Sequence, residues 1–431
     1  MKRIITVIFS LAFAGMYAQN STAVFTSDID NFWNAYDHIN KTDDFSEKIS
    51  LINKLYIGKG TKGLKAFMEA RAYTDTVFVK TIDSYPKFWN SIRPNTLSVK
   101  DKAAEMNSSV NKLKELYPDL KEAEMYFTIG ALNSGGTVSG NKVLVGTEIA
   151  TGTPDTDVSE FRGSWLDGFF AHQSLDNIVF LNIHEYIHTQ QNGSSNRLLN
   201  HSIKEGSCDF IAETVMQKPL QTKYMAYGTA HAEETKALFK KEMFGNSFAN
   251  WLYNGKEKGE RADLGYYIGY EICKSYYHHA IDKKKAVKDI IELNYSDDHA
   301  VENFLEKSKF FKEKIDKNKL IAAYRKNSVD IVKTEPANGS LQVDADTKEI
   351  KITFSKEIIP NQYSISFSDK GKENFPITKI IGLENNDKTL VLGADLKADK
   401  EYEFILTNKK FSSKDGYPLK EEKVHVKFRT K

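Results

Sequence analysis

The spacing of apolar and polar residues divides the chain into stretches with different periods. Residues 27–120 place apolar and aromatic side chains three and four positions apart, which is the period of an amphipathic helix. This pattern predicts five helices, at 30–40, 45–56, 64–71, 75–92 and 100–117. Residues 177–325 return to the same period, so we expect most of the chain before residue 327 to be helical.

A short region with the character of β-strands interrupts the helical pattern. Residues 124–130 and 142–149 are rich in β-branched and aromatic side chains, which favour strands, and residues 133–137 between them favour a turn. We therefore expect a small antiparallel sheet. A loop rich in Gly, Asp and Thr follows at 151–176, and long loops of this kind often have a role in function.

From residue 327 onward the period changes to two. Apolar and polar residues alternate in short runs separated by turn residues, which predicts strands at 349–354, 364–367, 389–392, 402–406 and 424–428. About 100 residues with this pattern are typical of a β-sandwich. The segment resembles the bacterial Ig-like modules appended to secreted enzymes. Four motifs carry the resemblance: Pro336 to Gly339, Thr353 to Ser355, Asp415-Gly416 ahead of Pro418, and Phe428 to Thr430.

The residues from His184 to His188 read His-Glu-Tyr-Ile-His within a predicted helix. Side chains four apart lie on one face of a helix, so His184 and His188 can bind one metal ion. Glu185 then lies close enough to contact a water molecule on that ion. This H-E-x-x-H arrangement indicates a zinc hydrolase. The alternative is that the two histidines pair with neighbours inside a core.

A third metal ligand is expected on a second predicted helix, at 205–217, because catalytic zinc typically takes three protein ligands. Glu205 and Asp209 are one turn apart and share a face. We expect Glu205 to bind the metal and Asp209 to accept the second ring N–H of a metal-binding histidine. Two alternatives remain. The first is that Glu205 and Asp209 are solvated residues at the start of a helix, where the helix dipole favours acidic side chains. The second is that Glu213 binds the metal instead of Glu205. Cys208 is a less attractive ligand because it lies on a different part of the helix face.

H-E-x-x-H followed by E-x-x-x-D resembles the gluzincins, the zinc peptidases related to thermolysin, over about residues 120–280. A set of bacterial predicted zinc-dependent proteases is especially similar. Five residues match the functional positions of the family: His184, His188 and Glu205 as zinc ligands, Glu185 as general base and Asp209 as the partner of a histidine. The chain lacks a stretch resembling the substrate-binding subdomain of thermolysin, and the spacing from His188 to Glu205 is short. Specificity therefore does not carry over.

The resemblance extends to two further features. It implies a sheet beside the zinc helix whose edge strand pairs with an extended substrate, although a plain hairpin in the core is the alternative. A Gly- and Tyr-rich helix is also similar, and Gly265 and Gly269 let it pack closely on a neighbour. Tyr267 and Tyr270, with Tyr266 beside them, are candidates for donating a hydrogen bond to the oxyanion. Aromatic core packing is the alternative for each tyrosine.

The N-terminus predicts export. Lys2 and Arg3 precede an apolar run at 4–16 and a small residue, Ala18, which together are typical of a secretory signal peptide. The run is short for a membrane span, and no cysteine follows it, so no lipoprotein anchor is expected. We predict a secreted or periplasmic protein. The chain has 60 basic and 58 acidic residues, and removal of Lys2 and Arg3 makes the counts equal, so binding to nucleic acid is not expected.

The predicted fold class is α+β. A signal peptide at 1–18 precedes a mostly helical zincin-like metallopeptidase domain at 19–326, with a helical part at 27–120 and the zinc-site part at 121–326. An all-β Ig-like sandwich at 327–431 follows. Two cysteines, Cys208 and Cys273, do not make a disulfide scaffold, and whether they pair with each other depends on their distance.

We expect a zinc-dependent metallopeptidase, an endopeptidase, that carries one Zn²⁺ and acts on a peptide or protein substrate. The alternative is a non-proteolytic zinc-containing surface protein that binds or adheres through its Ig-like domain, by contact with a cell surface or a polymer. A third reading is hydrolysis of another bond, such as an amide in a cell-wall peptide. Glu185 favours catalysis, because a protein that only holds zinc needs no carboxylate beside the water.

Overall fold

The computed structural model describes residues 23–431. The predicted signal peptide lies outside the described residues. The chain divides into two compact units, one that ends at Thr189 and one that runs from Gln190 to Lys431. Among the described residues, no helix has both the length and the apolar character needed to cross a membrane.

Helices make up most of the first unit. They are α1 (Ser27–Ile39), α2 (Phe45–Leu55), α3 (Lys62–Arg71), α4 (Asp75–Ser84), α5 (Pro86–Leu116), α6 (Thr147–Ala150) and α7 (Ile178–His188). The predicted helices at α1, α2 and α3 are confirmed to within a few residues. The loop predicted at 151–176 contains only short 3-10 turns, at Ser159–Phe161, Phe169–His172 and Leu175–Asn177.

The boundary predicted between the fourth helix, at 75–92, and the fifth, at 100–117, is wrong. Tyr85 leaves the helical region because Pro86 follows it, so α4 stops early. The helix α5 then continues through Pro94, where the sequence predicted a break. Its buried side chains on both sides of Pro94, including Trp89 and Val99, anchor one helix face in the core. Tertiary packing thereby offsets the hydrogen bond that proline removes.

A mixed sheet completes the first unit. Its strands are β1 (Val24–Phe25), β2 (Glu124–Thr128), β3 (Gly136–Ser139) and β4 (Lys142–Gly146), in the order β1-β2-β4-β3. Only β3 and β4 are antiparallel, while β2 pairs parallel with both β1 and β4. The expected small antiparallel sheet is therefore a wrong prediction. The sequence pattern missed β3 because the strand has only four residues and its first two fall in the predicted turn at 133–137.

Helices also form the N-terminal part of the second unit. They are α8 (Leu198–Met216), α9 (Lys223–Ala230), α10 (Ala232–Glu242), α11 (Gly255–Lys258), α12 (Leu264–His279), α13 (Lys283–Ile291), α14 (Asp298–Ser308) and α15 (Lys317–Asn327), with a 3-10 turn at Gly259–Arg261. The helix predicted to begin at Glu205 begins at Leu198 instead. Glu205 and Asp209 are therefore buried residues in mid-helix. Their alternative reading as solvated acids at a helix start is wrong.

Glycines bring α8 and α12 together. A Cβ atom on Gly269 would lie 1.8 Å from the carbonyl oxygen of Ser202, and one on Gly206 would lie 2.1 Å from the backbone nitrogen of Tyr270. Only glycine allows two helix backbones to approach this closely. The prediction that Gly265 and Gly269 permit close packing on a neighbour is confirmed, and the neighbour is the helix that carries Glu205.

An antiparallel sandwich forms the C-terminal part of the second unit. Its strands are β5 (Ile331–Glu335), β6 (Glu349–Phe354), β7 (Ile365–Phe367), β8 (Ile377–Glu384), β9 (Thr389–Ala394), β10 (Glu401–Thr407) and β11 (Lys423–Arg429). One sheet has the order β11-β10-β7 and the other β5-β6-β9-β8. Inward-facing side chains such as Ile350, Leu392 and Phe404 form one apolar core. The five predicted strands are confirmed, whereas β5 and β8 were missed because few of their side chains are buried.

Candidate metal centre

The helix α7 in the first unit is held by one buried face. Ile183 and Ile187 are fully buried. The hydroxyl of Tyr186 accepts a hydrogen bond of 3.2 Å from the backbone N–H of Ala123, the residue before β2. Leu181, in contrast, is 49% exposed. The helix is thus fixed in rotation, which sets the direction of the remaining side chains.

His184 and His188 converge on the same face of α7. Their Nε2 atoms are 3.1 Å apart, and their rings meet at 79°. Two nitrogen ligands of a tetrahedral zinc ion, with Zn–N bonds of about 2.0–2.1 Å, lie about 3.3 Å from each other. The observed separation is close to that value, although a hydrogen bond between two imidazoles has a similar length. Glu185 is half-buried beside the pair. These residues fit the two-histidine part of a zinc site.

The helix α8 in the second unit carries three titratable residues on one face. His201, Glu205 and Asp209 follow each other at intervals of four. His201 Nε2 is 3.6 Å from Oε1 of Glu205. Asp209 Oδ2 accepts a hydrogen bond of 2.9 Å from the hydroxyl of Tyr224. Burial, reinforced by the charge of Asp209, raises the pKa of Tyr224 well above its ordinary value, so this hydroxyl remains a donor at neutral pH.

Tyr253 is a contact of Glu205 that the sequence did not predict. Its hydroxyl donates to Oε1 of Glu205 over 3.3 Å and lies 2.8 Å from Nε2 of His201. The backbone of Tyr253 is left-handed, with φ of 58°, and its side chain is 62% exposed. The ring of Tyr266 packs edge-on against it. Burial, with the charge of Glu205 next in importance, raises the pKa of Tyr266.

The two tyrosines predicted to donate to the oxyanion make other contacts. The Tyr270 hydroxyl donates to Oε1 of Glu213 over 2.6 Å. Burial, followed by this hydrogen bond, raises the pKa of Tyr270. The ring of Tyr267 covers Gly228 on α9, and burial raises its pKa to about 12. These contacts anchor Tyr270 to α8 and pack Tyr267 against α9.

Glu213, the rival metal ligand, is already engaged within the second unit. Besides the Tyr270 hydroxyl on Oε1, its Oε2 accepts a hydrogen bond of 2.8 Å from the backbone N–H of Leu220. Both carboxylate oxygens therefore have protein donors. Glu213 is therefore held by protein contacts within the second unit.

Both cysteines are buried thiols in the structure. Burial raises the pKa of Cys273 well above its ordinary value, so the thiol stays protonated. The disulfide that the sequence left open is not formed between these two described residues.

Sequence reasoning had only one signal for the contacts around Glu205. His201 lies four residues before Glu205 and thus on the same helix face, which is visible in the sequence. Nothing in the sequence pointed to Tyr253, because its contact depends on the path of a loop after α10.

Comparisons with known proteins identify one region. No curated protein matches the chain. Three structures of the S-layer protein SbsC are similar at 11%, 12% and 10% identity, with TM-scores of 0.18, 0.17 and 0.18. The first structure contains residues 31–844 of SbsC, the second its N-terminal part and the third its domains 1–6. Each alignment covers 94% of this chain and, in the same order, 44%, 77% and 44% of the SbsC chain. Likeness at such TM-scores carries no argument. Residues 325–430 match the bacterial Ig-like domain family, so the C-terminal part of the chain is an Ig-like domain.

Proposed function

We propose that the protein is a secreted zinc-dependent metallopeptidase. The observation that carries this proposal is the 3.1 Å approach of His184 Nε2 and His188 Nε2 on one face of α7, with Glu185 next to His184 in the sequence. Two imidazole side chains and an adjacent carboxyl group would supply two metal ligands and a base. The secretory part of the proposal rests on the basic and apolar pattern of residues 1–18.

His184, His188 and Glu205 would hold one zinc ion, as the resemblance to the gluzincins implies. The environment of Glu205 in the second unit supports its role. The side chain is 7% exposed, and a buried carboxylate requires hydrogen bonds or a cation to offset its lost hydration. The Tyr253 hydroxyl donates one such hydrogen bond. Asp209 would orient a histidine ligand, in keeping with the carboxylates that usually support metal-bound imidazoles.

Bound zinc would act as a Lewis acid and lower the pKa of a water molecule towards neutrality. Glu185 accepts a proton from the attacking water and later delivers it to the leaving amine. When Glu205 binds the metal, the Tyr253 hydroxyl would be released from the Glu205 oxygen and would donate a hydrogen bond to the oxyanion that develops on the scissile carbonyl. Tyr267 and Tyr270 remain the candidates that the resemblance implies for this last role.

The test is the cleavage of a diverse peptide mixture by the mature protein, with zinc measured in the same samples. We expect cuts that require zinc, and their loss in Glu185→Gln with the zinc content unchanged. Glu205→Gln should lose zinc, whereas the matched variant Glu213→Gln should keep it. Turnover retained by Glu185→Gln would exclude Glu185 as the base, and absence of cuts by the wild-type protein would exclude the peptidase.

A binding or adhesion protein is the second candidate, and the Ig-like domain at 325–430 is the observation that favours it. This candidate predicts zinc binding without cleavage of any peptide. It also predicts that Glu185→Gln changes no measurable property of the protein. The same peptide mixture therefore separates the two candidates.

A further inference from the structure

A cleft lies inside the second unit where its helical part meets the Ig-like domain. The cavity has a volume of about 900 Å³. One wall is the segment at 246–254 together with Asn196 and Lys258, and the other consists of residues from 359–362 and 408–418 of the sandwich. We refer to it as the junction cleft.

Hydrogen bonds hold the two walls of the junction cleft together. Glu242 at the end of α10 accepts a hydrogen bond from the Tyr417 hydroxyl over 3.1 Å, and the Asn250 amide donates to the carbonyl oxygen of Asp415 over 3.0 Å. Ser247 Oγ donates to the carbonyl oxygen of Gly416 over 2.7 Å. A Cβ atom on Gly416 would lie 2.4 Å from the Asn250 amide nitrogen, so the walls are in close contact. The cleft is thus preformed rather than assembled by a ligand.

The lining of the junction cleft is basic and rich in amides. Seven Asn or Gln residues and four lysines belong to its lining, and the described lining contains no Asp or Glu. Lys414 is paired with Asp387 at 2.7 Å and with Glu357 at 3.1 Å. Lys409 and Lys410 are exposed and take part in no ion pair within residues 23–431. Because the whole chain has nearly balanced charge, this cluster is a local feature.

The lining also reaches the candidate metal centre. Tyr253 lines the junction cleft, and its hydroxyl donates to Glu205. A ligand in the cleft would therefore lie beside the proposed zinc ligand. Amide side chains both donate and accept hydrogen bonds, which suits a peptide backbone, and unpaired lysines attract carboxylates.

We infer that the junction cleft binds an acidic peptide segment and that the Ig-like domain thereby forms part of the substrate-binding surface. The role as a substrate subsite rests on the peptidase proposed above, whereas the binding itself does not. The contact of Tyr253 with Glu205 favours a peptide over an anionic polysaccharide, since one peptide could occupy the cleft and reach the proposed zinc ligand.

The test uses the mature Glu185→Gln protein, so that binding is measured without turnover. The probe is a fluorescein-labelled octapeptide of alternating Glu and Gly, followed by fluorescence anisotropy. We expect Lys409→Glu combined with Lys410→Glu to weaken binding about tenfold. The matched control reverses Lys348 and Lys379, which are exposed on the sandwich beside Gly393, outside the cleft lining. This control variant has the same net charge as the Lys409 and Lys410 double variant, and its affinity for the probe should stay within about twofold of that of the parent protein.

Three results would overturn the inference. They are failure of the parent protein to bind the peptide, equal weakening by both double variants, and tighter binding of an oligogalacturonate than of the Glu-Gly peptide. Failure of the peptidase proposal looks different. In that case the wild-type protein cuts no peptide, yet the Lys409 and Lys410 reversals still selectively weaken binding of the probe. Conversely, a peptidase that cuts acidic and neutral peptides equally, with or without the reversals, would refute the role of the junction cleft as a substrate subsite and leave the peptidase proposal standing.

Discussion

The hydroxyl of Tyr253 lies 3.3 Å from Oε1 of Glu205. The same hydroxyl is 2.8 Å from Nε2 of His201, so one phenol links two residues on a single face of α8. The left-handed backbone of Tyr253 costs about 1–2 kcal/mol relative to an ordinary conformation. Packing of the loop that contains Tyr253 offsets this cost and keeps a largely exposed aromatic ring beside a buried carboxylate.

Tyr253→Phe tests whether this phenol contributes to catalysis. If the hydroxyl donates to the oxyanion, we expect kcat to fall about 100-fold while KM and the zinc content change little. The matched variant is Tyr270→Phe, which removes the hydrogen bond to Glu213. That variant should lower the free energy of unfolding by about 1–2 kcal/mol and leave kcat largely unchanged. The opposite ranking of the two kcat values would assign the donor to Tyr270.

Gly269→Ala should destabilise the second unit. The new Cβ atom would lie 1.8 Å from the carbonyl oxygen of Ser202, so α12 and α8 would have to separate. We expect a net loss of about 1–3 kcal/mol, because the steric cost of the new Cβ atom is larger than the gain of about 1 kcal/mol in helix propensity. Urea unfolding measures the difference. Gly255→Ala is the control, because its Cβ atom would meet only Asp263 Oδ2 at 4.0 Å. Equal stability of the two variants would contradict the close packing.

Glu148 should make the stability of the first unit depend on pH. Its carboxylate is fully buried and accepts the backbone N–H groups of Gly130 and Leu132 over 2.8 and 3.3 Å. Burial raises its pKa from 4.5 to about 7, against the opposing effect of these hydrogen bonds. The raised pKa means that the folded state retains a proton that the unfolded chain has released. The stabilising contribution is therefore complete below pH 4.5 and is lost as the pH rises to about 7.

The expected size of this effect is about 3 kcal/mol between pH 4.5 and pH 7, since each pKa unit corresponds to about 1.4 kcal/mol. Amide hydrogen exchange of β2 and β4 in increasing urea, at pH 5 and pH 8, would report it. Wild-type protein should lose more stability over this interval than Glu148→Gln, which has no titrating group at the site. An identical loss in both proteins would show that Glu148 is not the group responsible.

The sequence predicted secondary structure best where the spacing of apolar residues within one segment defines a buried face. The helices at α1 to α3 and the five strands predicted in the sandwich follow from helical and alternating periods, because each side chain needs only its neighbours to define a buried face. The same patterns failed at Pro94, where core packing keeps α5 continuous, and at β3, a four-residue strand whose start lies in the predicted turn. The sequence pattern also did not predict that β2 and β4 are parallel, because strand direction depends on how the chain connects the two strands and not on local periodicity.

The sequence by itself determined that His184 and His188 share one face of a helix with Glu185 beside them, because helical geometry relates residues four positions apart. It likewise determined that Glu205 and Asp209 share a face. The tertiary structure alone decided that Tyr253 reaches Glu205 across 48 positions of the chain, and that Tyr270 is held by Glu213. The physical reason is that such contacts depend on loop backbones and close helix packing, which local periodicity does not encode.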